Sequence, residues 1–242
     1  MNAYRAPPGP DVQRMFATIA GRYDLLNRLL SFQIDRYWRR RTVRLIRSME
    51  PSPDDMCLDL CTGTGDLMLE LQRRLGLQVV GADFCHPMLL HAQEKLGSGP
   101  NQSTSKLSDA DAMALPFREG TFRFVTIAFG LRNVEVIEQG LKEMYRVLEP
   151  GGSCVILEFS RPVLPVFRSV FAFYFSHILP RLGAWISGTE GPYQYLPDSV
   201  GRFPSQRELA ALVTSVGFER VQYRNLTGGV AALHWGTKQG GS

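Results

Sequence analysis

The chain of 242 residues has only four cysteines, Cys57, Cys61, Cys85 and Cys154, too few and too scattered to staple a fold of this length. No disulfide framework and no leader peptide are expected, and the thiols are expected to be reduced, as in a cytoplasm. Cys57 and Cys61 stand four apart, but no second Cys or His pair follows at ligand spacing, so no metal site is expected. Long apolar runs are also missing. The greasiest stretch, Val163 to Ile186, is interrupted by Arg168, His177, Pro180 and Arg181. It falls short of the roughly 20 apolar residues a spanning helix needs, although something apolar can rest on it. Charge of one sign is scarce as well: 27 Lys and Arg against 23 Asp and Glu leave +4, too little to call for nucleic acid. The one concentration is Arg36, Arg39, Arg40, Arg41, Arg44 and Arg47, with only Asp35 nearby. Such a cluster suits phosphates or anionic lipid head groups, or is a solvated helix face.

What is present is the composition of a globular protein, 44% hydrophobic and 21% charged, long enough for one large domain or a core with a cap. Val12, Met15, Phe16, Ile19, Tyr23 and Leu26 recur at helical spacing, with Arg14 and Arg22 outside the stripe. Pro51-Ser52-Pro53-Asp54-Asp55 ends that helical region. Strand and helix patterns then alternate: Met56 to Leu60, a helix over Asp66 to Leu75, Val79 to Ala82, a helix over Pro87 to Leu96, and Phe124 to Ala128. A helix over Val136 to Leu148 and a strand over Cys154 to Phe159 follow. This alternation predicts an α/β fold, a Rossmann-like sheet with helices on both faces. About forty aromatic, Pro-containing residues interrupt it before a helix over Gln206 to Val216 and strands near Glu219 to Asn225 and Ala231 to Trp235. The expected division is a helical cap over 1–50, a core over 51–162 and 203–242, and a helical lid insertion over 163–202. The tail from Gly236 to Ser242 is expected to be disordered.

The strand Cys57-Leu58-Asp59-Leu60 runs into Cys61-Thr62-Gly63-Thr64-Gly65-Asp66, and a helix opens at once. Glycines at such a turn let a ligand approach the backbone. A dinucleotide site would want a third glycine where Met68 stands, and a phosphate loop would want Gly-Lys-Ser/Thr, which is absent. Asp66 at the helix start repels a pyrophosphate and suits a cationic ligand. Asp83, at the end of the next strand, is placed to accept hydrogen bonds from ribose hydroxyls. Asp109-Ala110-Asp111-Ala112 offers a polar loop for an adenine edge. With Asp59, these acids around a glycine turn point to S-adenosylmethionine, whose sulfonium is positive and whose adenosine carries a diol.

Several stretches resemble the ubiquinone/menaquinone biosynthesis C-methyltransferases, class I enzymes that methylate a prenylated quinol ring. They are Tyr23-Asp24-Leu25-Leu26-Asn27 with Leu30-Ser31-Phe32, Leu58-Asp59-Leu60 through Gly63-Thr64-Gly65-Asp66, Ala114-Leu115-Pro116-Phe117, and Thr126 through Phe129-Gly130-Leu131-Arg132-Asn133-Val134. Others are Glu143-Met144-Tyr145-Arg146-Val147-Leu148 with Pro150-Gly151-Gly152, Leu157-Glu158-Phe159-Ser160, Tyr193-Gln194-Tyr195-Leu196-Pro197, Arg202-Phe203-Pro204 and Asn225-Leu226-Thr227-Gly228-Gly229. The glycine turn is generic to methyltransferases, whereas the Phe129 and Tyr193 segments are specific to this family. The resemblance implies that Thr64, Asp83, Asp111 and Ala112 contact S-adenosylmethionine, with Asp59, Gly63, Gly65 and Ala128 completing the cofactor set. Ala128 stands where some relatives carry Ser, and Thr62 where many carry Gly or Cys; neither change removes a backbone contact.

Carbon methylation needs an electron-rich ring, which a hydroquinone becomes once an ortho hydroxyl loses its proton. Arg132 and Asn133 follow a strand at the carboxyl edge of the sheet; arginine stays protonated, so its expected part is to stabilise the phenolate or polarise a water. Asn133 is expected to orient that water or the quinol oxygen, and Tyr23 to complete the catalytic set. Tyr23, Asp24, Tyr193 and Tyr195 have the character of lid residues, with Tyr193, Tyr195 and His177 expected near the substrate. Phe167, Phe171, Phe173, Tyr174, Phe175 and Trp185 offer a surface for an isoprenoid tail, and with the arginines would let the protein dock peripherally on a membrane, at the inner face of the cell membrane. A homodimer is expected by analogy with related folds. Alternatives are another amphipathic lipid acceptor, or a scaffold that binds S-adenosylmethionine or lipid without catalysis.

Overall fold

The computed structural model describes residues 6–22, 24, 33–97, 105–163 and 191–240, with the backbone alone at 19, 22, 105, 191–194 and 196. Met56–Leu60 (β1) is buried on both faces from Cys57 on, as an interior parallel strand must be. Gln78–Asp83 (β2), Ser105–Asp109 (β3), Phe122–Ala128 (β4), Leu148–Phe159 (β5), Glu219–Leu226 (β6) and Ala231–Thr237 (β7) join it in one seven-stranded sheet. Its order is β3-β2-β1-β4-β5-β7-β6, parallel except that β7 runs antiparallel to both its neighbours. Chain order reverses between β1 and β4, and ligands of open α/β sheets bind in the crevice beyond the strands' carboxyl ends at such a point. Register makes that edge level: Leu60 lies opposite both Ala82 and Ile127, so the residues that follow, Cys61, Asp83 and Ala128, stand level at the carboxyl edge.

Helices cover both faces. On one, Ile137–Val147 (α5) and Gln206–Ser215 (α7) bury Leu141, Met144, Leu209 and Val213 against Leu58, Val125 and Ile156. On the other, Ile34–Arg47 (α2) and Asp66–Leu75 (α3) bury Trp38, Val43, Ile46, Leu67, Met68 and Leu71 against Cys57, Val79, Phe124 and Val155. The helix α3 closes at Gly76, whose left-handed conformation (φ 72°) lets its N–H reach the Gln72 carbonyl at 3.0 Å. α7 opens on a reciprocal cap between Ser205 and Glu208. Gly9–Ile19 (α1) and His86–Gly97 (α4) lie together at the β2 side, and Gly191–Arg202 (α6) approaches the turn after β4.

Two expectations are corrected. β3 is a strand that periodicity did not reveal, because Ser-Lys-Leu-Ser-Asp at a sheet edge has too few apolar residues to alternate. The tail is ordered as far as it is described: Gly236 and Thr237 pair with Cys154 and Ser153, and Lys238 N–H donates to the Gly152 carbonyl at 2.8 Å. Backbone pairing along β5 holds these residues despite their polar, glycine-rich composition. The four cysteines are free thiols, and burial pushes Cys57 and Cys154 well up. Among the described residues no helix is long and apolar enough to cross a membrane.

Candidate cofactor and substrate site

The turn after β1 is built from below. Asp59 is buried, and its two oxygens accept hydroxyl hydrogen bonds at 2.7 Å from Thr62 and from Thr126 on β4. Burial pushes its carboxyl up to about 6 against those bonds. Asp59 therefore braces the turn from inside the sheet, with its acceptors used within the protein. Cys61 takes a positive φ of 52°, and Gly63 and Gly65 follow at 57° and 81°. Asp83 stands beside them: Oδ2 accepts the Gly63 N–H at 2.8 Å and Oδ1 the Cys85 N–H at 2.9 Å. Burial again pushes this carboxyl up to about 6, with its backbone hydrogen bonds opposing. A carboxylate has about four acceptor directions, so these backbone bonds leave capacity for a ligand hydroxyl. That acceptor fits the ribose hydroxyls of an adenosine cofactor.

Asp111 caps the neighbouring loop, its Oδ1 accepting the Met113 N–H at 2.8 Å, and Ala112 beside it is buried. Ala110 N–H donates to the Asp83 carbonyl at 3.0 Å, tying this loop to the end of β2. Ala128 is half-buried at the end of β4. Thr64 and Asp66 have partners that their spacing does not announce. Thr64 Oγ1 donates to Asp24 at 2.6 Å and accepts from Lys95 Nζ at 2.8 Å. Asp66 pairs with Lys95 at 2.8 Å and with Arg39 at 3.1 Å. The carboxylate expected to welcome a cationic ligand is thus matched by two cations of the protein itself.

Beyond β4 the backbone turns sharply at Phe129 (φ 57°) and Gly130. A Cβ at Gly130 would stand 2.3 Å from Cys61 Cβ, so only glycine lets the β1 and β4 turns meet. Phe129, Phe159 and Trp38 form an aromatic group, with ring centroids 4.7 Å apart for Phe129 and Phe159 and 5.8 Å from each to Trp38. Arg132 is buried. Its Nη1 donates to Glu158 Oε1 at 2.7 Å and to the Phe129 carbonyl, and its guanidinium lies 5.3 Å from the Phe159 ring centre. Glu158, almost wholly buried, also accepts the Phe159 N–H at 2.8 Å and the Arg132 N–H at 3.2 Å. Asn133 Oδ1 accepts the Tyr195 hydroxyl from α6 at 2.9 Å. Burial pushes that hydroxyl up, and the Arg132 charge opposes.

The structure thus brings Arg132, Asn133 and Tyr195 together beside the glycine turn. Tyr23, His177, the Tyr193 side chain and the aromatics of residues 164–190 lie outside the described residues. Glu158 and Lys95 were not anticipated. An acid inside the apolar run Val155-Ile156-Leu157 was the available signal for Glu158; Lys95 had none.

The architecture is that of the class I methyltransferases. A histamine N-methyltransferase candidate from Thermotoga maritima superposes with a TM-score of 0.65 at 17% identity over 93% of this chain and 99% of its own. The [4+2]-cyclase SpnF does so at 0.73 and 14% over 99% of each chain. Within that class, the model of the ubiE/COQ5 methyltransferase family matches residues 5–238, and the chain belongs to this family. It is 51% identical to the demethylmenaquinone methyltransferase of Thermus thermophilus over 93% of this chain and all of that one. It is 47% identical to the ubiquinone/menaquinone biosynthesis C-methyltransferase UbiE of Geotalea uraniireducens, over 95% and 97%.

Proposed function

We propose that the protein transfers a methyl group from S-adenosylmethionine to a ring carbon of a prenylated quinol, with demethylmenaquinol the favoured acceptor. The observation that carries this is the level carboxyl edge, where Gly63 and Asp83 adjoin the Arg132–Asn133–Tyr195 group and its aromatic floor. Fold alone would not carry it, since a cyclase shares the fold. Both relatives' names include the menaquinone branch, which favours the naphthoquinol over the benzoquinol.

When bound, S-adenosylmethionine supplies an electrophilic methyl on its sulfonium. Asp83 accepts the ribose hydroxyls, the Gly63–Gly65 backbone lines the methionine end, and Ala112 bounds the adenine. Arg132, fixed by Glu158, places a permanent positive charge beside the quinol oxygen and favours its phenolate, which loads electron density onto the adjacent carbon. Asn133, held by Tyr195, orients that oxygen. Phe129, Phe159 and Trp38 exclude water from the ring. Helix α6, whose Tyr195 meets Asn133, and the N-terminal helices serve as the cover, and the protein works at a membrane surface that stores its substrate.

The test is transfer of a labelled methyl from S-adenosylmethionine to reduced demethylmenaquinol and to the reduced benzoquinol precursor, each with a short prenyl tail. Product on the naphthoquinol in excess is the expected result. No product on either ring, with S-adenosylmethionine bound, overturns the reading.

A further inference from the structure

The positive charge of this chain resides in one helix. α2 holds six arginines and one aspartate, a formal +5, whereas the whole chain is +4, so everything outside α2 sums to −1. The structure divides the six by orientation. Arg39 turns inward to Asp35 at 2.8 Å and Asp66 at 3.1 Å, and Arg41 is half-buried. Arg36, Arg40, Arg44 and Arg47 are exposed, and their spacing of four, four and three sets them on one face. Tyr37, 47% exposed, lies beside that row, three residues before Arg40. The single acid of α2, Asp35, is buried on the inner face; of the acids near the C-terminal end, Glu70 is paired with Arg74, and Glu50 stands beyond the helix. The opposite face of α2 carries Trp38, packed on Phe129 and Phe159.

We propose that the outer face of α2 docks on an anionic membrane surface, with Arg36, Arg40, Arg44 and Arg47 meeting lipid phosphates and Tyr37 entering the head-group layer. Cations attract an anionic leaflet, and an exposed tyrosine suits the interface between head groups and chains. A nucleic acid would meet the same charges, but the rest of the chain sums to −1 and does not extend the basic face. Docked this way, the bilayer lies one helix diameter, about 10 Å, from the aromatic floor of the site. The choice of a lipid surface rests on the quinol reading; the binding itself is measured without substrate.

The test is co-sedimentation of the full chain with phosphatidylcholine vesicles containing phosphatidylglycerol, and with pure phosphatidylcholine vesicles, at low and high salt. The expected results are binding to the anionic vesicles alone, weakening with salt, and a loss of about 30-fold in R40Q/R44Q, at about fivefold per arginine. That double variant, exposed and remote from the chemistry, is expected to keep its rate on a short-tailed quinol in solution. Equal binding to both vesicle types, or anionic-vesicle binding unchanged in R40Q/R44Q, overturns the proposal. So does tighter binding to duplex RNA that the same substitutions abolish. Vesicle binding that follows the arginines in a protein methylating neither ring would sink the quinol reading and leave the docking face standing.

Discussion

Asp83 and Glu158 are buried carboxylates with different tasks. Asp83 accepts hydroxyls most strongly when ionised, yet burial holds it at about 6, so protons compete with the cofactor within reach of neutral pH. Affinity for S-adenosylhomocysteine by calorimetry is expected to fall about tenfold per unit as pH drops below about 6. D83N is expected to weaken binding by 10- to 100-fold at pH 7.5, about the worth of hydrogen bonds to a charged acceptor, and to abolish that pH dependence. Glu158 instead acts through Arg132. In E158Q the oxygen still accepts but the countercharge is gone, so the guanidinium is held at the Phe129 turn by neutral acceptors alone and less firmly. The expected outcome is a fall in kcat of about a hundredfold, with cofactor affinity within about twofold of the parent and partial recovery in E158D. Equal loss of affinity and kcat would mark Glu158 as a purely structural residue.

At the scale of elements, the decisive contact is between the turns after β1 and β4. G130A is expected to destabilise by more than about 4 kcal/mol in urea unfolding, because the added Cβ meets Cys61 Cβ at 2.3 Å and neither backbone can retreat from the sheet. C61G alone, at a position already at φ 52°, is expected to change stability by less than about 1 kcal/mol and to restore much of the loss when combined with G130A. Additive effects would show that the two turns do not touch. β1 and α3 were legible to the residue because an apolar run, a glycine pair and a helical stripe follow one another without ambiguity. β3 was not, since an edge strand buries too little to impose a pattern. Asp83 and Arg132 were legible because position at a strand end is a local property. Lys95 meeting Asp24, Thr64 and Asp66 is a tertiary event across 71, 31 and 29 residues, and no local spacing encodes it.

For the whole molecule, acid acts through groups of opposite sign. Burial lowers His234, on β7, to about 4, and its Nε2 donates to the Gln206 carbonyl at 2.9 Å. A histidine depressed on folding contributes stability above its unfolded value of 6.5 that is lost as pH falls toward 4. Asp59 and Asp83, both raised from 3.8 to about 6, do the reverse, favouring the fold as pH falls through that window. The two tendencies nearly cancel, so the parent is expected to show a flat stability profile between pH 7 and 5. H234Q keeps a donor for Gln206 and removes the titration. Its stability relative to the parent is expected to rise by about 2 kcal/mol from pH 7 to pH 5, followed by denaturant midpoints. A constant difference would mean that burial does not depress His234 on folding.

The position of β7 has a consequence for how the chain is made. It is synthesised after β6 yet lies between β5 and β6, so β6 has no neighbour in the sheet until residues 231–237 have left the ribosome. The parallel half, with the glycine turn and Arg132, can assemble while translation continues, whereas β5 keeps an open edge until β7 arrives. A nascent chain stalled just short of Ala231 would therefore hold most of its binding crevice and still expose a strand edge for chaperones to cover.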